Sequence, residues 1–222
     1  MKRKVDLRNI SDGRLYTSND MVKADCQDCK GCSACCKGMG ESIILDPMDV
    51  FRLQQGTGMK FQEMLENYVS LQVVDGIVLP HLKMNQEGEG CAFLNEEGRC
   101  SIHPFRPGIC RLFPLGRVYD EEGFHYFLQI HECKKKDRTK IKVKKWLNIE
   151  DVDAYEKYIL AWHKFLVLCQ DSMQVLEEDN KRILSLYILK LFYQTDYTSK
   201  RDLEFYEEFN QRIQIAFETL NL

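Results

Sequence analysis

The sequence predicts an α+β fold: a small cysteine-rich core with short hairpins, packed against short helices and a C-terminal helical tail. Three observations predict it. Nine of the ten cysteines precede residue 134 of a 222-residue chain. Turn signals between short apolar runs recur from residue 73 to residue 130, and long amphipathic stripes begin only after Asn148. Composition is that of an ordinary globular protein, with 44% hydrophobic and 29% charged residues. The near-neutral charge of −3 lacks the basic excess of a nucleic-acid binder, so nucleic acid is not an expected partner. No apolar run reaches the roughly 18 residues of a membrane span, and no apolar stretch follows the charged start, so a cytoplasmic location is expected. Residues 1–149 hold 23 basic and 20 acidic groups, whereas 150–222 hold 8 and 14. This predicts an N-terminal arm over 1–25, a cysteine-cluster domain over 26–149 and an acidic helical segment over 150–222 packed on it.

The elements follow in order. Small and polar residues between Cys26 and Cys36 suit tight turns. Ser42 to Leu45 reads as a short strand. Asp46-Pro47 with Asp49 supplies an N-cap, a first-turn proline and a first-turn acid for a helix to about Gln55, which Gly56-Thr57-Gly58 ends. Phe61, Met64, Leu65 and Tyr68 are at helical spacing. Asp75-Gly76 between valine and isoleucine pairs predicts a hairpin with a type I′ turn. Phe93 to Arg99 reads as a second hairpin with Cys91 and Cys100 on its arms, and Gly116 to Ile130 as a third, turning at Asp120–Gly123. The basic run Lys134–Lys145 predicts a solvated edge strand with Ile141 and Val143 facing inward. Stripes of Tyr155, Ile159, Trp162, Phe165, Leu166 and Cys169, then Ile183, Leu186, Leu189 and Leu191, then Leu203, Tyr206, Phe209, Ile213 and Phe217 mark three helices.

The cysteines carry the chemistry. In a reducing compartment clustered cysteines point to metal ligands or catalytic thiols before disulfides. Cys29, Cys32, Cys35 and Cys36 follow C-x2-C-x2-C-C, and thiolates select zinc, copper(I) or iron–sulfur clusters. Read from Cys26, the same stretch matches the ferredoxin-type run C-x2-C-x2-C-x3-C, with Lys37 in place of the usual proline. Adjacent Cys35 and Cys36 in extended backbone would point apart, serving two ions or two corners of a cluster. In the second block a hairpin brings Cys91 and Cys100 together, Pro104 and Pro107 return Cys110 toward them, and Cys133 is a candidate fourth sulfur. Arg99, Arg106 and Arg111 would offset the negative charge of a thiolate-bound ion.

These blocks resemble the CxxCxxCC, or YkgJ-like, cysteine-cluster family, described as a zinc- or iron-chelating domain. The resemblance rests on Cys29, Cys32, Cys35, Cys36, Cys91, Phe93, Leu94, Cys100, Ile102, Arg106, Pro107, Cys110, Arg111, Phe113, Pro114 and Cys133, covering about residues 26–135. It implies that the eight matching cysteines form the metal site, with zinc or iron. The adjacency of Cys35 and Cys36 and the count of eight thiolates extend the expectation to an iron–sulfur cluster as a candidate and to more than one ion per chain. Cys26 is an additional candidate ligand. His103, Arg106 and Arg111 are candidates for holding an anion or supporting the ligands. Flagellin lysine N-methylases look related to this family. Two readings stand side by side: a redox or group-transfer enzyme acting on a protein substrate, and a zinc-stapled binding module presenting its helical or basic surface to a partner.

Overall fold

The computed structural model describes residues 6–27, 32–85 and 90–221. A one-turn helix α1 (Leu7–Ile10) leads into strands β1 (Ser11–Tyr16) and β2 (Met21–Asp25). Helices α2 (Pro47–Thr57) and α3 (Phe61–Asn67) precede the hairpin β3 (Val69–Val74) and β4 (Ile77–Leu82). Then come α4 (Gly108–Leu112), β5 (Leu115–Tyr119), β6 (Phe124–Gln129), β7 (Thr139–Lys142), α5 (Val143–Leu147), α6 (Val152–Met173), α7 (Glu178–Leu189) and α8 (Asp202–Leu220). The result is α+β, with three small antiparallel sheets: β1-β6-β5, β2-β7 and β3-β4. Among the described residues no helix is long and apolar enough to cross a membrane.

Local chemistry explains most boundaries. Asp46 and Asp49 form a reciprocal capping box at the start of α2, with Pro47 in the first turn and Gly58 ending the helix at a positive φ of 73°. Asp75 and Gly76 both take positive φ, as a type I′ turn requires, and set the register of β3 on β4 from Val74↔Ile77 to Val69↔Leu82. The Asp120–Gly123 turn joins β5 to β6, paired from Tyr119↔Phe124 to Leu115↔Leu128. The expected hairpin at Phe93–Arg99 is reduced to a single bridge, Leu94↔Cys100, and the strand expected at Ser42–Leu45 to the bridge Ile44↔His81. The edge strand in the basic run ends at Lys142, and Val143, fully buried, already opens α5.

The polar stretch before Cys26 is built into the sheets. Strand β1 pairs antiparallel with β6 and β2 with β7. A smaller core lies between these sheets and α5, formed by Val22, Ala24, Cys26, Leu112, Leu115, Tyr126, Val143, Trp146 and Leu147 among others. The larger core joins α2, α3, β3 and β4 to α6–α8. Its centre is aromatic: Trp162 meets Phe192 edge-on at 5.0 Å, and Tyr158 meets Phe209 at 4.5 Å. The stripe expected for α6 is buried throughout. That of α7 is turned: Ile183 and Leu186 are exposed, while Leu184, Ser185, Ile188 and Leu189 face inward, with Ser185 Oγ accepting the Val78 N–H. Arg212, buried on α8, donates to the carbonyls of Leu191, Thr195 and Asp196 and to Glu208, closing the π-turn Lys190–Gln194 that follows α7.

Candidate metal centre

Two stretches of chain meet at the cysteines. The first block runs through the 3-10 turn Ala34–Cys36 and is tied to the second by main-chain bonds. Cys91 N–H donates to Cys36 O at 2.8 Å, and Lys37 bridges Gly90. The second block passes from Cys91 through the Asn95–Gly98 turn to Cys100, then through the 3-10 turn His103–Phe105 to α4, which carries Cys110.

Cys32, Cys35, Cys36, Cys91, Cys100 and Cys110 line one open cleft of about 980 Å³, counting its mouth. Its apolar wall includes Met39, Met84, Ile109, Phe113 and Trp146, and Arg99, His103 and Arg106 line it too. Four of the thiols are electrostatic neighbours. Burial pushes the Cys110 thiol up, and Asp49, Cys91, Cys100 and Cys35 push it further. Burial likewise raises Cys91, with Cys100 and Cys35 adding to it, and raises Cys100, with Cys35 adding and Arg106 opposing. Two sulfurs also receive main-chain hydrogen bonds from two residues further along: Phe93 N–H donates to Cys91, and Ile102 N–H to Cys100. Such donors favour the charged thiolate, the form that binds metal.

Cys35 and Cys36 differ from the expectation of an extended pair pointing apart. They lie in a 3-10 turn, and their side chains hydrogen-bond each other, which with burial drives the Cys35 thiol upward. The tight turn rotates successive side chains by about 120°, in place of the 180° alternation of a strand.

The other candidates are distributed as follows. Cys133 lies on a smaller pocket of about 310 Å³ with Cys26, Cys32 and Cys35. Cys29 lies outside the described residues. His103 Nε2 accepts from the Arg106 guanidinium, which also donates to His103 O, so that nitrogen is engaged within the pair. Arg111 is buried and committed to main-chain carbonyls: it donates to Arg106 O at 3.1 Å, to Asn148 O at 3.4 Å and to Pro104 O. It therefore braces the loop that returns Cys110.

Asp49 is a helix-start acid, and it also supports the site. Its Oδ1 accepts Gly108 N–H at 2.6 Å, two residues before Cys110, and its Oδ2 accepts Asp46 N–H at 3.1 Å. Burial, and then the neighbouring Asp46 carboxylate, push its pKa up to about 8. The capping-box pattern gave its helix position; nothing local in sequence signals the contact with Gly108.

The donor set fits zinc or iron in its chemistry, being rich in soft sulfur, with hydrogen-bonded thiols and a positive guanidinium lining the same cleft. Among the described residues no three His, Cys, Asp or Glu side chains stand close enough to enclose an ion, so the thiols line the cleft without closing on one point. In comparisons with known proteins, a family model described as "CxxCxxCC: Putative zinc- or iron-chelating domain" matches residues 28–139. No curated protein and no solved structure matches the chain.

Proposed function

The chain belongs to the CxxCxxCC family, and on that premise we propose that it holds zinc or iron through Cys35, Cys36, Cys91, Cys100 and Cys110 at a centre accessible from the open cleft. The observation that carries this reading is that sulfurs from two distant blocks line one cleft that also has an apolar wall. A purely structural ion is enclosed by four protein ligands, whereas a working centre keeps a side open to a reactant. The cleft beside the thiols supports the second arrangement. It favours a redox or group-transfer centre, with a protein side chain as a fitting reactant, over a zinc staple.

Anaerobic purification followed by elemental analysis and absorption spectroscopy tests the reading. Bound iron or zinc is expected, and Cys110→Ser is expected to lower metal content and stability together, since folding and binding are coupled at such sites. Cobalt(II) placed in the site should change its spectrum when azide is added. Metal-free protein would overturn the reading. A zinc-only protein whose cobalt form ignores azide would leave the structural staple in its place.

A further inference from the structure

We propose that the lysine face made by β2, β7 and α5 docks an acidic segment of a protein partner beside the cysteine cleft. That this partner is the protein whose side chain enters the cleft rests on the reading above; the docking surface stands without it.

Residues 134–145 hold eight basic side chains and one acid, a net of +7 in a chain of −3, so the remainder carries −10. The fold spreads this charge over one face. Val22 of β2 opposes Ile141 of β7, and both turn into the smaller core. Alternation along the strands then leaves Lys23, Lys140 and Lys142 on the outer side of the ladder, with Met21 49% exposed among them. Lys134 and Lys136 precede β7. Lys144 and Lys145 follow it on the exposed side of α5, whose other side buries Val143, Trp146 and Leu147. Among the described residues no carboxylate pairs with any of these seven lysines. The acid inside the run is Asp137; the nearby Asp25 is taken up by Gln27 and Thr139, and Asp20 by Thr17.

Lysines on an outer strand often serve only to stop it pairing with another chain, and that accounts for Lys140 and Lys142. It does not account for Lys134 and Lys136 ahead of the strand, or for Lys144 and Lys145 on a helix. The run is also anchored at the site by both ends. Lys134 and Lys135 line the small pocket that shares Cys32, Cys35 and Phe113 with the cleft, and Trp146, next after Lys145, lines the cleft itself. Unpaired charge of one sign in such a place draws and orients a partner of the other sign. A nucleic acid fits less well. Residues 20–26 and 134–148 present no exposed aromatic ring for bases to stack on, and the acidic remainder of the chain repels a long polyanion. A short run of carboxylates on a polypeptide meets neither obstacle.

The test is fluorescence anisotropy of the full chain with a labelled peptide of alternating glutamate and serine, about as long as the run itself. Wild type should bind it, should bind it less as salt rises from about 0.05 to 0.3 M, and should ignore a peptide with lysine in place of glutamate. These comparisons need no variant. Lys140→Glu with Lys142→Glu, and Lys144→Glu with Lys145→Glu, should each weaken binding about tenfold. Lys157→Glu with Lys164→Glu, at exposed positions of α6, changes the net charge equally and should leave binding within about twofold. Metal content should be the same in all of them. Wild type that ignores the acidic peptide, or face variants that bind it as wild type does, would overturn the docking surface and leave the metal reading untouched. Metal-free protein that still binds the peptide would support the surface and overturn the metal reading. Tighter binding of a uridine oligonucleotide of equal length, or of vesicles of phosphatidylserine and phosphatidylcholine in equal parts, would overturn the assignment to an acidic protein.

Discussion

The carboxylate of Asp49 on α2 accepts the main-chain N–H of Gly108 at 2.6 Å, joining the cap of one helix to the start of the short helix that carries Cys110. Asp49→Ala leaves two donors without their acceptor, the buried Gly108 N–H, at about 1–3 kcal/mol, and the part-buried Asp46 N–H, at less. The penalty should depend on pH. The folded pKa lies above the unfolded value, so the contribution of Asp49 is full below about pH 3.8 and is lost as pH rises through 8. Urea midpoints of wild type and variant should therefore differ more at pH 5 than at pH 9. A gap that is constant, or wider at pH 9, would contradict this assignment.

Gly56 faces the other side of the same junction. A Cβ there would lie 2.4 Å from the ring of Phe105, the residue before Arg106. The helix interior would otherwise gain from alanine, so the sign of Gly56→Ala separates propensity from packing. The close approach should win: a loss of about 1–3 kcal/mol in thermal or urea unfolding is expected. Paired replacement with Phe105→Leu should recover part of it.

His163 stacks on Tyr119 with ring centroids 3.5 Å apart, and burial lowers its pKa to about 4. The unfolded chain then binds a proton that the folded one refuses between pH 6.5 and 4. Its contribution is present above that window and is lost as pH falls through it. His163→Phe keeps the stacked ring without the titration, so wild type should lose more stability than the variant between pH 7 and pH 4. Equal losses in chemical denaturation would show that the ring is not held neutral.

Where local chemistry fixes a feature, the sequence was sufficient. The Asp46–Asp49 capping box, the Asp75–Gly76 turn and the buried stripe of α6 each depend on residues a few positions apart. Partners far along the chain were not legible. Strand β1 is exposed at four of its six positions, so its residues show no apolar alternation to betray pairing with β6. In α7 the spacing selects Leu189, which is buried, together with Ile183 and Leu186, which are exposed; these are as apolar as the residues that pack on β4, and periodicity alone cannot choose between faces. The cysteine spacing marked the site, while the division of the thiols between two pockets depends on where β2 and β7 place Cys26 and Cys133.

The pairing of the first two strands with β6 and β7 has a kinetic corollary for biosynthesis. During translation, β1 and β2 emerge long before the strands that complete their ladders, because Ser11 awaits Gln129 and Val22 awaits Ile141. Contacts of such long sequence separation form late and slowly. These two ladders therefore close only after Gln129 and Lys142 have been made, whereas the Cys36–Cys91 main-chain contact can form as soon as the second cysteine block has emerged.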